Sequence, residues 1–197
     1  MLGRAYREVG NVQAAITTFQ TVLDTYPTDP AFGEAWLEQG RTLFLSNDVA
    51  GAIEKYTALA TLHPDVPEGA EALWRAGYLY STQGNTDAAL GTFDILGQNY
   101  PGTTWAQEGL YMGATMAYNA GKIGMAAQLF SQLAATGSGE LQAAAYLWVG
   151  RLYQSDGKDD LARQAYQAAA AADPGGYYSL RAADLLAGRA PFTPPPG

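Results

Sequence analysis

An aromatic residue returns along this chain at an almost constant interval. Phe19, Tyr56, Phe93, Phe130 and Tyr166 are separated by 37, 37, 37 and 36 residues. A turn residue and an alanine keep the same interval: Gly10, Asn47, Gly84, Gly121 and Gly157, and Ala15, Ala52, Ala89, Ala126 and Ala162. A fixed period of this length is typical of stacked repeats, in which each repeat packs mainly on its neighbours. The period therefore predicts a repeat array and argues against a single globular core.

Each repeat has the pattern of two helices joined by a tight turn. In the second repeat, Asp29 and Pro30 form a helix start signal, and apolar residues at helical spacing continue to about Leu45. A break at Asn47 separates this segment from a second apolar stripe, which Pro64 ends. The other repeats copy this order, so we predict a helix-turn-helix unit in each.

The predicted fold class is all-α, a right-handed superhelical solenoid of about five helix-turn-helix repeats plus a C-terminal helix. The predicted boundaries are repeats at about 1–27, 28–64, 65–101, 102–137 and 138–174, with a terminal helix at 176–187. Together they form a single repeat domain, 1–187, and a proline-rich linker follows at 188–197. The first repeat is truncated and leaves an apolar face uncovered, which predicts self-association through it or fraying of this end.

A small residue recurs in the first helix of every repeat, where it predicts a close approach of two helices. These residues are Gly3, Gly40, Gly77, Ala114 and Gly150. Glycine inside a helix costs about 1 kcal/mol relative to alanine, so its recurrence at one site indicates that tight packing offsets the cost. We expect the aromatic of the second helix to fill the gap toward the next repeat.

Composition excludes several classes of function. The formal charge of −8 disfavours nucleic acid and anionic membrane surfaces, because both are polyanions. The chain has no cysteine and one histidine, His63, which we expect to be a solvated loop residue. No apolar run has the length of a membrane span, and no set of nucleophile, base and orienting residue is recognisable. We expect no catalytic residue, no cofactor, no metal site and no membrane insertion.

The small residues, aromatics and closing prolines together resemble those of the tetratricopeptide repeat family. Examples are Gly40, Ala52, Tyr56 and Pro64 in one repeat, and the same positions recur around Phe93 and Tyr166. The resemblance covers nearly the whole chain and implies a helical scaffold that binds other molecules. The period here is longer than the 34 residues usual for that family.

Two narrower resemblances concern the cell envelope. The segment at 177–186, with its Tyr-Tyr, Arg-Ala and Leu-Leu pairs, is similar to the last helix of the α-superhelical domain of soluble lytic murein transglycosylases. That resemblance implies a bacterial, extracytoplasmic fragment whose catalytic domain lies outside this sequence. The Tyr-Pro pairs at Tyr26 and Tyr100 resemble those of periplasmic tetratricopeptide proteins that serve envelope assembly and cell division. A cytoplasmic location stays open.

Helical spacing places one set of side chains on the groove face of the first helices. The candidate binding residues are Glu34, Arg41, Glu71, Trp74, Tyr78, Glu108, Tyr111, Tyr118 and Arg151, with Leu37, Phe44 and Leu147 on the same stripe. The glutamates predict an acidic column, and the aromatics predict a patch beside it. Such a surface suits an extended peptide or a peptidoglycan glycan strand. Alternatively, the glutamates are solvated first-turn residues favoured by the helix dipole, and the tyrosines are packing residues.

These features indicate two functions. The first is a non-catalytic scaffold from a lytic transglycosylase-like protein, which positions peptidoglycan or a partner. The second is a stand-alone adaptor that binds a peptide or protein in envelope assembly or cell division.

Overall fold

A computed structural model of the chain describes residues 2–190. Within this range the chain forms eleven α-helices and no strand, which confirms the all-α prediction. The helices are α1 Leu2–Glu8, α2 Val12–Thr25, α3 Ala31–Leu45, α4 Val49–Leu62, α5 Glu68–Thr82, α6 Thr86–Asn99, α7 Thr104–Asn119, α8 Ile123–Thr136, α9 Gly139–Ser155, α10 Asp159–Ala172 and α11 Tyr177–Leu186. None of these helices is both long enough and apolar enough to cross a membrane.

The periodic turn residues all have the left-handed backbone that ends a helix sharply. Their φ angles lie between 69° and 77°: Gly10, Asn47, Gly84, Gly121 and Gly157. After each one, a backbone N–H reaches five residues back, as Asn85 does to the carbonyl of Tyr80 at 3.0 Å. Glycine and asparagine tolerate this conformation best. The turn column in the sequence is therefore a column of helix C-caps.

The recurring glycine and the recurring aromatic pack against each other within one repeat. A Cβ atom placed on Gly77 would lie 2.6 Å from Cε1 of Phe93, and one on Gly3 would lie 2.7 Å from Cζ of Phe19. The same pairing joins Gly40 to Tyr56 and Gly150 to Tyr166. The prediction that the aromatics fill the gap toward the next repeat is therefore incomplete, because these four each contact the glycine of their own helix pair.

The contacts divide the chain into two compact units, Met1–Asn99 and Tyr100–Gly197. In unit 1 each helix from α1 to α6 packs on the next one, and α3 also packs on α5. In unit 2 the same holds from α7 to α11, and α9 also contacts both α7 and α11. Neighbour-only packing explains the division, because a repeat array has no core shared by all its helices.

The tail segment forms α11 and packs on the last helix pair of unit 2. Ala182 is fully buried beside Leu147 and Tyr166, and Tyr178 and Leu185 pack against the same core. The hydroxyl of Ser179, also buried, donates to the carbonyl of Ala169 at 2.6 Å. Most of the predicted linker, 191–197, lies outside the described residues.

Candidate functional site

The first helices of unit 1 carry a mixed-charge surface, which we call the first-helix face. It consists of side chains from α1, α3 and α5 around an open cavity of about 370 Å³: Arg4, Glu34, Glu38, Arg41, Glu68, Glu71 and Arg75. Glu34 pairs with Arg4 from the preceding repeat, and Glu71 pairs with Arg75 one helical turn further along α5 at 2.6 Å. The acidic column predicted here is thus neutralised in unit 1, because arginines lie between the glutamates.

Glu38 is the buried centre of this face. Its side chain is only 6% exposed, and its two carboxylate oxygens accept from Arg7 and from Arg4, the latter at 3.1 Å. Burial by itself raises the pKa of a carboxyl group, but the hydrogen bond and charge of Arg7, reinforced by Arg4, outweigh it and lower the pKa of Glu38. Glu38 therefore holds the short helix α1 against α3.

An apolar pocket adjoins the charged part of the first-helix face. It has a volume of about 120 Å³ and is lined by Phe44, Tyr56, Trp74, Arg75, Tyr78 and Leu79. Trp74 and Tyr78 stack in parallel one helical turn apart, with ring centroids 5.6 Å apart. Phe44 is 43% exposed and Tyr78 is 41% exposed, although both are large hydrophobic residues. An opening flanked by exposed rings can receive an apolar group from another molecule.

Unit 2 has its own aromatic cluster, and its rings are already paired with one another. Trp148 stacks on Phe130 at 5.5 Å between centroids, and Tyr118 lies 4.9 Å from Trp148. The guanidinium of Arg151 lies 5.3 Å from the centre of the Trp148 ring. Because these rings contact each other, they act first as packing groups.

Tyr111 has a partner that periodicity did not indicate. Its hydroxyl lies 3.0 Å from the hydroxyl of Tyr178 on α11, a helix outside the repeat pattern. This hydrogen bond, together with burial, raises the pKa of Tyr178 to about 12. Tyr111 therefore links α7 to the tail helix.

The structure thus divides the predicted binding residues between the two units. Glu34, Arg41, Glu71, Trp74 and Tyr78 lie on the first-helix face of unit 1. Unit 2 contains the remainder: Glu108, Tyr111, Tyr118 and Arg151. The placement of Leu147 on the groove stripe is wrong, because it is 3% exposed and lies in the core of unit 2.

Sequence reasoning missed the residues that compensate the glutamates. Arg4 lies 37 positions before Arg41, so the repeat register itself could have placed it on the same face. Glu38 and Arg75 are also 37 positions apart and carry opposite charges. The register contained the signal for these residues, whereas the pairings between their side chains required the packed structure.

His63 does not have the solvated environment expected for it. Its ring lies edge-on to Phe32 at 4.8 Å and to Trp36 at 5.1 Å, and the residue is partly buried. Trp36 also donates from Nε1 to the backbone carbonyl of Lys55 at 2.7 Å. His63 is therefore part of an aromatic packing cluster where α4 ends against α3.

The repeat architecture and the first-helix face define a class of protein. A tetratricopeptide repeat model matches residues 1–67 and 111–177, and a second such model matches 71–103. The chain belongs to the tetratricopeptide repeat family, whose fold is typically non-catalytic and binds protein partners.

Two solved structures illustrate the fold. The crystal structure of MamA is 19% identical, with 95% of this chain and 98% of that chain covered and a TM-score of 0.50. A tetratricopeptide repeat protein from Parabacteroides merdae is 17% identical, with 95% and 71% covered and a TM-score of 0.51. A comparison with curated proteins returned no match. At these identities the likeness concerns the fold alone.

Proposed function

We propose that this chain is a non-catalytic scaffold that binds a protein partner through the first-helix face of unit 1. The observation that carries the proposal is the apolar pocket between Phe44 and Tyr78, which opens beside the charged residues of α3 and α5. Apolar side chains at the surface of a rigid helical stack are a binding feature when they surround a concavity. This surface supports the stand-alone adaptor function.

Site-specific photo-cross-linking tests this proposal. A benzophenone amino acid replaces Tyr78 on the first-helix face or Ile95 on α6, which is 48% exposed. Ile95 lies outside the pocket and serves as the matched control. In cells of the source organism we expect a defined protein adduct from position 78 and none from position 95. Equal labelling at both positions, or no protein adduct from position 78, contradicts the proposal.

A second candidate is the scaffold of a lytic transglycosylase-like protein that positions peptidoglycan. It rests on the tail residues of α11, including Tyr178 and Arg181, and it implies an extracytoplasmic bacterial location. The packing of Tyr178 against Tyr111 offers a structural reason for part of this motif. The candidate therefore requires that the gene encode a catalytic domain downstream of Gly197.

Two measurements test this second candidate. The gene should continue past Gly197 into a catalytic domain, and the purified chain should sediment with isolated peptidoglycan sacculi. A reading frame that stops at Gly197, or that continues into an unrelated domain, excludes the transglycosylase assignment. Cell fractionation tests the location, since a cytoplasmic pool alone is incompatible with a cell-wall role.

A further inference from the structure

The chemistry of the first-helix face indicates which kind of peptide it would bind, given the proposed function of protein binding. The glutamates of this face differ in how fully they are paired. Glu34 is paired with Arg4, and Glu71 accepts from Nε of Arg75 at 2.8 Å. Glu38 is held by Arg4 and Arg7 and is almost completely buried. A basic ligand would have to displace one of these arginines to reach Glu34, Glu38 or Glu71.

Arg41 is the cation of this face with room for another partner. Its side chain is 52% exposed, and its nearest carboxylate oxygen, on Glu38, lies 3.8 Å away. That distance exceeds a hydrogen bond, and the same oxygen already accepts from Arg4 at 3.1 Å. An arginine side chain has five donors in a planar fork that matches a carboxylate. Arg41 can therefore turn toward an acidic group of a ligand without breaking a hydrogen bond.

The apolar pocket lies within reach of that arginine. Arg41 and Phe44 are three residues apart on α3, so they share one side of the helix with a rise of about 4.5 Å between them. Arg75 lines both the charged cavity and the apolar pocket, so the two are adjacent. Glu68 lies ten residues before Tyr78 on α5, about 15 Å along the helix. Its carboxylate is therefore too far from the apolar pocket to pair with Arg41 there.

The volume of the pocket limits the apolar group. At about 120 Å³ it is smaller than the roughly 150 Å³ apolar cavity that accommodates benzene in another protein. A leucine, isoleucine or methionine side chain is of a size that matches this space. In an extended peptide, residues two apart point to the same side and lie about 6.6 Å from each other. This spacing is of the same order as the rise of about 4.5 Å between Arg41 and Phe44 along α3.

We propose that unit 1 binds an extended peptide segment of a partner protein, with one leucine-sized side chain in the aromatic pocket and an acidic side chain two residues away on Arg41. The apolar anchor supplies most of the affinity, and the carboxylate sets the register and orientation of the peptide. The occupant is thus an acidic-aliphatic segment of another protein.

Peptide selection on the full chain tests this inference. The probe is a phage-displayed library of random dodecapeptides, selected on the immobilised protein. Enriched peptides should contain an aliphatic residue two positions from aspartate or glutamate. In anisotropy measurements with the enriched peptide, changing the aliphatic residue to alanine should weaken binding about tenfold or more.

Variants of the chain separate the two parts of the site. Phe44→Asp should abolish binding, whereas Leu45→Asp should leave it unchanged, since Leu45 is 61% exposed and does not line the pocket. Peptides selected on the Arg41→Glu variant should carry a basic residue in place of the acidic one. Peptides selected on the Arg163→Glu variant, changed on α10, should still carry the acidic residue. Circular dichroism checks that each variant is folded.

The outcomes distinguish this inference from the proposed function. Peptides of different chemistry that still lose binding in Phe44→Asp overturn the inference and support protein binding. Peptides insensitive to both Phe44→Asp and Arg41→Glu overturn the inference and relocate the binding surface. A library that yields no binder, combined with no adduct in the cross-linking experiment, refutes both.

Discussion

The contact between Gly77 and Phe93 offers a direct test of why glycine recurs in the first helices. A Cβ atom at position 77 would lie 2.6 Å from Cε1 of Phe93 and 2.9 Å from two further ring atoms. Ordinary contact begins at 3.4 Å, so the ring must move by 3.4 − 2.6, or 0.8 Å. Phe93 is fully buried, and the surrounding helices restrict that movement.

The expected effect of Gly77→Ala is the difference between two opposing contributions. Overpacking a buried site costs about 1–3 kcal/mol. Alanine is about 0.8–1.0 kcal/mol more favourable than glycine inside a helix. The variant should therefore lose roughly 0–2 kcal/mol of its free energy of unfolding, and Gly77→Leu should lose more.

Gly91 provides a matched control in the partner helix α6. It lies in the middle of that helix, and no atom lies within 4 Å of a Cβ placed there. Gly91→Ala should therefore stabilise the protein by about 0.4–1 kcal/mol, because helix propensity and unfolded-state entropy act alone. The difference between the two variants isolates the packing cost.

Urea unfolding followed by circular dichroism measures both variants. In a thermal unfolding experiment on a chain of this size, 1 kcal/mol corresponds to a shift of about 2–4 °C in Tm. The double variant Gly77→Ala/Phe93→Leu should cost less than the sum of its parts, since the smaller side chain makes room. If Gly77→Ala stabilises the protein as much as Gly91→Ala, the packing explanation for the glycine column is wrong.

Three further predictions concern contacts that periodicity did not reveal. Glu38→Gln should cost about 1–3 kcal/mol by leaving Arg7 unpaired, with faster amide hydrogen exchange in α1. Because the pKa of Glu38 is lowered, its contribution to the free energy of unfolding is fully present above the ordinary carboxyl pKa. That contribution is lost as the pH falls through the lowered value, so the stabilities of the variant and the natural protein should converge in acid. Tyr111→Phe should cost about 1 kcal/mol of the free energy of unfolding. In the natural protein, the contribution of Tyr178 to that free energy should be full below pH about 10 and should be lost as the pH rises toward about 12. A pH series of urea unfolding measures this loss. Ser179→Ala should cost about 1–3 kcal/mol, since the Ser179 hydroxyl both donates to and accepts from backbone groups at the end of α10; an unchanged urea midpoint contradicts this role.

Much of the fold could be predicted because it is local and repeated. The turn residues Gly84 and Asn47 indicated where helices end. Both have the left-handed backbone of a helix C-cap, which glycine and asparagine adopt most readily. The glycine column indicated a close approach between the two helices of a repeat, whereas the aromatics were expected to fill the gap toward the next repeat. Repetition strengthened each signal, because the same pattern occurs in five copies.

The candidate site was predicted less well, because it depends on which side chains meet. Helical spacing predicted Glu34 and Glu71 on one face, and both line one cavity, yet spacing could not show that arginines neutralise them. Spacing also placed Leu147 on the groove stripe, although its side chain lies in the core. Leu147 lies three residues before Gly150, as Trp74 lies three before Gly77, so the register gave no sign of its burial; only the packing of α11 against this helix pair showed it.

The 37-residue period was sufficient to establish an array of helix pairs, since it encodes one local unit repeated along the chain. The chemistry of the surface, in contrast, arose from tertiary packing. Packing buried Glu38 between two arginines, left Arg41 half exposed and opened a pocket between Phe44 and Tyr78. The reason is physical: helix formation depends on neighbours in the chain, whereas charge pairing and pocket shape depend on residues that only packing brings together.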